Sequence, residues 1–276
     1  MSAAARAAHA MVDSPPHLIV DVTARRLCEA AGSPSPLDFH LAHPGEPILA
    51  AARLSAAARS AYAERLLRSS GIRQYVVLGA GLDTSVSRTP ASCDVWHVDL
   101  PGVLAWRSAL LETAGVPDRG VPVPVDLSTS DPVPALAQAG LRGGEPAFVS
   151  WLGVSMYLDG DAVQRTFASL GRLAPGSELV FDHIVPPADR DDAGADYARA
   201  VAAAVGAQGE PWRCTPSLSA LHGSLEATGW STVESLCESE SVPAGFWDRS
   251  DALQPMDLVR LTHATLSSTP RTERNG

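Results

Sequence analysis

Gly79-Ala80-Gly81, Asp99 and Asp126 are the residues whose types and spacing first suggest chemistry. An apolar run, Tyr75 to Leu78, enters the two-glycine turn, and a second run, Val95 to Val98, ends on Asp99, 18 residues after Gly81. Where strands and helices alternate, this puts a glycine loop at the carboxyl end of one strand and an acid at the end of the next, where nucleosides bind. One carboxylate can accept from both ribose hydroxyls, although Asp99 before Leu100-Pro101 is also placed to start a helix. A dinucleotide loop would want a third glycine three residues on, and Thr84 stands there. A ligand without phosphates, lying over the loop through an amino acid part, fits better. Asp126 closes a third apolar run, PVPVDLS, and is placed either to accept from an adenine amino group with Leu127 against the ring or to cap the next helix.

The elements that must position these residues follow from the patterning. Short apolar runs near 75–79, 94–98, 121–125, 146–150 and 177–184 alternate with helical stretches near 101–114, 131–140, 159–173, 189–207 and 216–228. Runs of that kind are strands of a parallel sheet covered on both faces. Two further strands, near 231–236 and 257–265, have no helix signal between them and read as an antiparallel pair at the sheet edge. Ahead of the sheet, residues 1–16 read as a helix or a mobile arm. Residues 17–31 are helical up to Gly32, and ILAAARLSAAARSAYAERLLRSS is a long helix closed by Gly71. Its arginines 53, 59, 65 and 68 are expected on a solvated face. The chain therefore divides into an N-terminal helical cap (1–71), an α/β domain (72–266) and a polar tail (267–276) expected to be disordered.

Composition removes several classes of function. All 21 basic residues are arginine, so a lysine Schiff base, a lysine general base and a Walker-type phosphate lysine are excluded. A net charge of -10 without a basic stripe argues against nucleic acid. Four scattered cysteines give neither a zinc spacing nor a disulfide framework, and no metal site is expected. No apolar stretch long enough to span a membrane occurs and the N-terminus lacks a signal-peptide core, so a cytoplasmic location is expected. Oligomeric state leaves no mark on the sequence.

Taken together, GIRQYVVLGAGLDT, VDLPGVLAWRSALL, PVDL and FVSWLGVSMYL resemble the leucine carboxyl methyltransferase family, in its bacterial branch of S-adenosylmethionine-dependent O-methyltransferases. The likeness is clear over about residues 47–185. It implies a class I methyltransferase fold, which is Rossmann-like, with seven mostly parallel strands and helices on both faces. It also implies S-adenosylmethionine as cofactor and often a carboxyl group as acceptor. By this resemblance Arg59, with Arg53 as alternative, grips the cofactor carboxylate. Gly79 and Gly81 lie under the methionine part, and Asp83 is the acid that follows. Asp99 with Leu100 takes the ribose, while Asp126 and Leu127 take the adenine. Two departures stand out. Ser85 replaces the arginine that often follows GLDT, with Arg88 as a substitute, and Leu152 stands where an acid is common, leaving its grip to Ser150 or a backbone carbonyl.

Methyl transfer mainly requires alignment of the acceptor. A carboxylate acceptor is already ionised, whereas a hydroxyl needs a base. Tyr157, beyond strand four, is placed to position an acceptor oxygen, and His183, at the end of strand five, titrates near neutrality and is the candidate base. Residues 186–217 read as a lid, with Arg190 or Arg213 available to an acceptor carboxylate. The leading expectation is esterification of a carboxyl group on a small metabolite, as in natural product biosynthesis, or on a peptide C-terminus. The alternatives are methylation of a phenol or other hydroxyl, or a repurposed methyltransferase-like cyclase or binding protein.

Overall fold

A computed structural model of the chain describes residues 1–205 and 211–267. Its seven strands are β1 Gln74–Leu78, β2 Asp94–Asp99, β3 Val121–Pro124, β4 Phe148–Trp151, β5 Glu178–Ile184, β6 Trp230–Cys237 and β7 Val259–Leu266. They form one sheet in the order β3-β2-β1-β4-β5-β7-β6. β1 to β5 are parallel, and β7 lies antiparallel between β5 and β6. The chain moves outward from β1 to β3 and then returns to place β4 on the other side of β1. The switch between β1 and β4 opens the crevice where such sheets take ligands.

The helices are α1 Ser2–Val12, α2 Val22–Ala30, α3 Pro36–Ala42, α4 Pro47–Ser70, α5 Pro101–Thr113, α6 Pro132–Gln138, α7 Gly160–Leu170, α8 Asp192–Val205 and α9 Leu218–Ala227. Local chemistry sets several of their ends. Asp159 caps α7 by accepting from Ala162 N, and Asp21 caps α2 through Ala24 N. Gly71 closes α4 in the left-handed conformation at φ 68°. α3 has no counterpart among the expected helices, because the SPSP segment reads as a stop, whereas Ser35 and Asp38 form a capping box that starts a new turn there.

Strand alternation divides the core between the two sheet faces. On one face Val76, Leu78, Val149, Trp151 and Phe181 meet Phe167 and Leu170 of α7 and Leu221 and Leu225 of α9. On the other face Tyr75, Val77, Phe148, Val180 and Leu261 meet Tyr62, Leu66 and Leu67 of α4. Removing area of this kind from water is worth roughly 25 cal/mol per Å² of apolar surface, and this makes the sheet rigid enough to hold side chains at its carboxyl edge.

The arginines of α4 do not share a solvated face. Arg65 and Arg68 are exposed, but Arg53 is fully buried and donates to both oxygens of Asp13 and to Pro44 O. Arg59 is partly buried against Asp182. The tail from 268 onward and residues 206–210 of the expected lid lie outside the described residues.

Candidate cofactor site

A cavity of about 270 Å³ opens at the switch between β1 and β4. Gly79, Ala80, Gly81, Leu82 and Asp83 form its floor, and Arg59, Ser150, Leu152 and Gly153 form one side. Met1, with Ser2, Ala3 and Arg6 of α1, closes it from above. Two glycines shape it by necessity. Gly79 has φ 66°, and a Cβ there would sit 2.2 Å from Val154 Cγ2. Gly153 has φ 71°, and a Cβ there would come within 2.9 Å of the Arg59 guanidinium. No side chain fits either place without displacing the wall.

Arg59 Nη1 donates to Asp182 Oδ2 at 3.2 Å, and Nη2 donates to Ser2 Oγ at 3.0 Å. Asp182 is completely buried and also accepts from Gly153 N at 2.6 Å. Burial raises its carboxyl above the usual range, and Arg59 works against that shift. Arg6 donates to Asp21 Oδ2 and to Leu82 O, which ties α1 to the glycine loop. Beneath the loop Tyr75 Oη joins Ser85 Oγ at 3.1 Å and Ser150 Oγ at 2.9 Å. Ser85 in turn donates to Asp83 through its backbone N and its hydroxyl. Asp83 therefore has a hydrogen-bonded partner in Ser85, the residue that stands where the family often has an arginine. Arg88 is occupied with Glu64 and Asp21.

Of the other expected residues, Asp99 stands at the end of β2 with Oδ2 accepting from Gly81 N at 2.7 Å and Oδ1 from Leu100 N. Leu100 beside it is 45% exposed. Asp126 lies farther off at the end of β3, where Oδ1 accepts from Ser128 N and Oγ. Leu127 is buried in the core. None of Asp99, Leu100, Asp126 and Leu127 is among the residues lining the cavity, and Asp126 holds a turn through Ser128 while Asp131, not Asp126, caps α6. Arg53, engaged with Asp13, is remote from the cavity. Arg190 donates to Val185 O and faces the Trp212 ring, and Arg213 is exposed, so neither arginine reaches the cavity.

The two acceptor-side residues separate. Tyr157 is 40% exposed in a 3₁₀ turn, Ser155–Tyr157, after β4. His183 lies on the sheet face opposite Arg59. Its neighbour Asp182 points toward the cavity side, so strand alternation sends His183 toward Phe181, with ring centroids 6.1 Å apart. Both ring nitrogens are buried without partners. Burial, with Arg260 and His222 nearby, lowers its pKa to about 4. A histidine in that place is a neutral core residue, and the expectation that it faces an acceptor is corrected.

Sequence reasoning passed over Asp182, Tyr75 and the α1 residues. Asp182 adjoins His183 in a run whose facing only the sheet register decides. Tyr75 read as one more apolar strand residue. Arg6 is a single arginine in an alanine-rich helix, and no local pattern separates it from a solvated one. Among the described residues no group of three or more His, Cys, Asp or Glu is arranged to hold a metal ion. No helix of those residues is long and apolar enough to cross a membrane.

This geometry can be set against known proteins. The sequence profile described as leucine carboxyl methyltransferase matches residues 1–171, which include α1, the glycine loop and β4. A Bacillus subtilis protein named as a candidate S-adenosyl-L-methionine-dependent methyltransferase, YktD, is 28% identical over 216 residues, 75% of this chain and 71% of that protein. A similarly named protein of Mycolicibacterium smegmatis is 40% identical over 120 residues, but these are 41% of this chain and only 37% of the relative. A crystallised DUF574-family protein of Streptomyces avermitilis shares the fold with a TM-score of 0.60 at 21% identity, covering 88% of this chain and 96% of that one. The profile match spans more than half of the sequence and contains the whole glycine loop; the chain belongs to the leucine carboxyl methyltransferase family.

Proposed function

We propose that this protein transfers a methyl group from S-adenosylmethionine to an oxygen of a small-molecule acceptor. As a family member it is an S-adenosylmethionine-dependent methyltransferase, and the residues present suit that cofactor. An amino acid needs an anion site and a cation site close together. Arg59 and Arg6 offer guanidinium groups to its carboxylate, and Asp83 with the loop carbonyls offers acceptors to its ammonium. Asp99 is placed for the ribose hydroxyls and exposed Leu100 for the face of the base, while Gly79 and Gly81 let the backbone come close. Ser150, tied to Tyr75, and Leu152 form the wall beside the glycine loop. The observation that carries this reading is the convergence of Arg59, Asp83 and the two glycines on one cavity at the switch point.

The bound cofactor supplies an activated methyl group. The protein must align an acceptor oxygen with that group and exclude water, and effective concentration provides much of the rate. The helices of residues 1–71 cover the cavity from one side, and residues 186–205 and 211–217 are assigned to the acceptor side, with Tyr157 beside them.

The family name suggests a carboxyl acceptor. The charges beside Arg59 favour a hydroxyl. Asp182 and Glu238 are both fully buried there, and Arg59, already paired with Asp182 and assigned to the cofactor carboxylate, leaves no arginine on that wall to balance an acceptor carboxylate beside the two acids. The direct test incubates the protein with methyl-labelled S-adenosylmethionine and two panels, simple carboxylic acids and simple phenols. Each product is then weighed for a gain of one methyl group. Label in the phenols is expected, and label confined to the acids would restore the carboxyl reading.

A further inference from the structure

Glu238 follows β6 directly, in a 3₁₀ turn, Glu238–Glu240, at the same sheet edge as Asp182. It has no exposed surface, and neither carboxylate oxygen makes a well-formed hydrogen bond. A buried acid without partners is costly and needs a reason. The groups around it are specific. Ser55 of α4, one helical turn before Arg59, turns a hydroxyl toward it. Arg59, which lines the cavity, and Asp182, which Arg59 holds, both act on its charge. On β7, Arg260 is taken up by Asp257 and Glu240. From α8, the Tyr197 hydroxyl feels both Glu238 and Tyr157, which is 40% exposed.

We propose that Glu238 is the base that takes the proton from a phenol or alcohol acceptor admitted at the carboxyl edge of the sheet beside Arg59 and Asp182. The assignment rests on the methyltransferase reading above and narrows its substrate class. In the reaction the acceptor O–H bond breaks and its proton goes to a Glu238 carboxylate oxygen. The freed oxygen pair forms the new carbon–oxygen bond, the carbon–sulfur bond breaks with its electron pair left on sulfur, and Glu238 returns the proton to water on product release. Arg59 bridges the two halves of the site, since it faces the cofactor cavity and also holds Asp182 beside Glu238.

Burial pushes the Glu238 carboxyl up to about 7, with Ser55 and Arg59 opposing and Asp182 adding to the rise. A base poised there combines availability with driving force near neutrality. His183, the other candidate base, lies on the opposite face of the sheet against Phe181.

The test has two readouts. The first is infrared spectroscopy of the protein without cofactor. A carboxylic acid carbonyl band should disappear as pH rises through about 7, and Glu238→Gln should remove that titration. The second is methyl transfer to 4-methoxyphenol and to 4-nitrophenol near pH 8, where the nitrophenol is already largely ionised. Glu238→Gln should lose roughly 10²–10⁴-fold on methoxyphenol and stay within about tenfold on nitrophenol, and Glu238→Asp should recover part of the loss. The isosteric Gln also removes a buried charge, so folding is retained and thermal unfolding checks it. Equal losses on both phenols, no loss on either, no titrating band, or binding of S-adenosylhomocysteine without turnover of any phenol would overturn the assignment. Failure to bind S-adenosylhomocysteine at all would instead overturn the methyltransferase reading beneath it.

Discussion

Replacing Glu238 by Gln should stabilise the protein, and by an amount that grows with pH. In the folded chain burial holds the carboxyl proton up to about pH 7, whereas the unfolded side chain releases it near 4.5. Between these values the folded state binds more protons than the unfolded state, so stability is fully present below about 4.5 and is lost as pH rises through about 7. At roughly 1.4 kcal/mol per pH unit the whole difference is about 3 kcal/mol, of which about 2–3 kcal/mol falls between pH 5 and 8. The assay is urea unfolding of wild type and Glu238→Gln at pH 5, 6, 7 and 8, read as the difference between the two proteins. His40, His97 and His183, each lowered to about 4 mainly by burial, titrate in both proteins and cancel in that difference. The advantage of the variant should widen by about 2–3 kcal/mol across the range. Parallel profiles would refute the claim that Glu238 is buried without compensation, and with it the physical basis for calling it a poised base.

Other outcomes follow from the same geometry. Gly79→Ala places a Cβ 2.2 Å from Val154 Cγ2 in a left-handed backbone, and should abolish S-adenosylhomocysteine binding in calorimetry while the protein still unfolds cooperatively. Tyr75→Phe removes the hydroxyl between Ser85 and Ser150, and should cost roughly 1–3 kcal/mol in urea unfolding because two buried hydroxyls lose a partner. Asp13→Ala leaves the Arg53 guanidinium buried without its acid and should cost about 3–5 kcal/mol, which thermal unfolding would record as a large fall in Tm. His183→Phe should keep wild-type turnover of any accepted phenol. It should also lessen the loss of stability below pH 6.5, because a histidine whose folded pKa is lowered to about 4 costs stability as the unfolded form gains its proton.

The sheet was legible in the sequence because its five parallel strands are short, apolar and separated by helices, and their runs have no other stable use. The glycine loop and Asp99 were legible for a similar reason, since a turn that needs positive φ must show glycine. What remained hidden depends on contacts between distant segments. Whether Asp182 or His183 faces the cavity is decided by the register with β4 and β7, not by the run FDHIV itself. Glu238 sits in CESES, which reads as a solvated loop until α4 covers it. Arg53 and Arg59 share one alanine-rich helix without a clear polar stripe, so their separate fates, one tied to Asp13 and one to Asp182, appear only when α1 and the sheet close around α4.

Titration of the protein with S-adenosylhomocysteine, in calorimetry, beside Asp83→Asn and Arg59→Leu, tests the central claim most directly. A single site in the wild type, weakened by about tenfold or more in each variant through loss of a charged hydrogen bond, is the predicted result. No heat of binding in the wild type, or unchanged affinity in both variants, would contradict the assignment of the Arg59–Asp83 cavity to the cofactor.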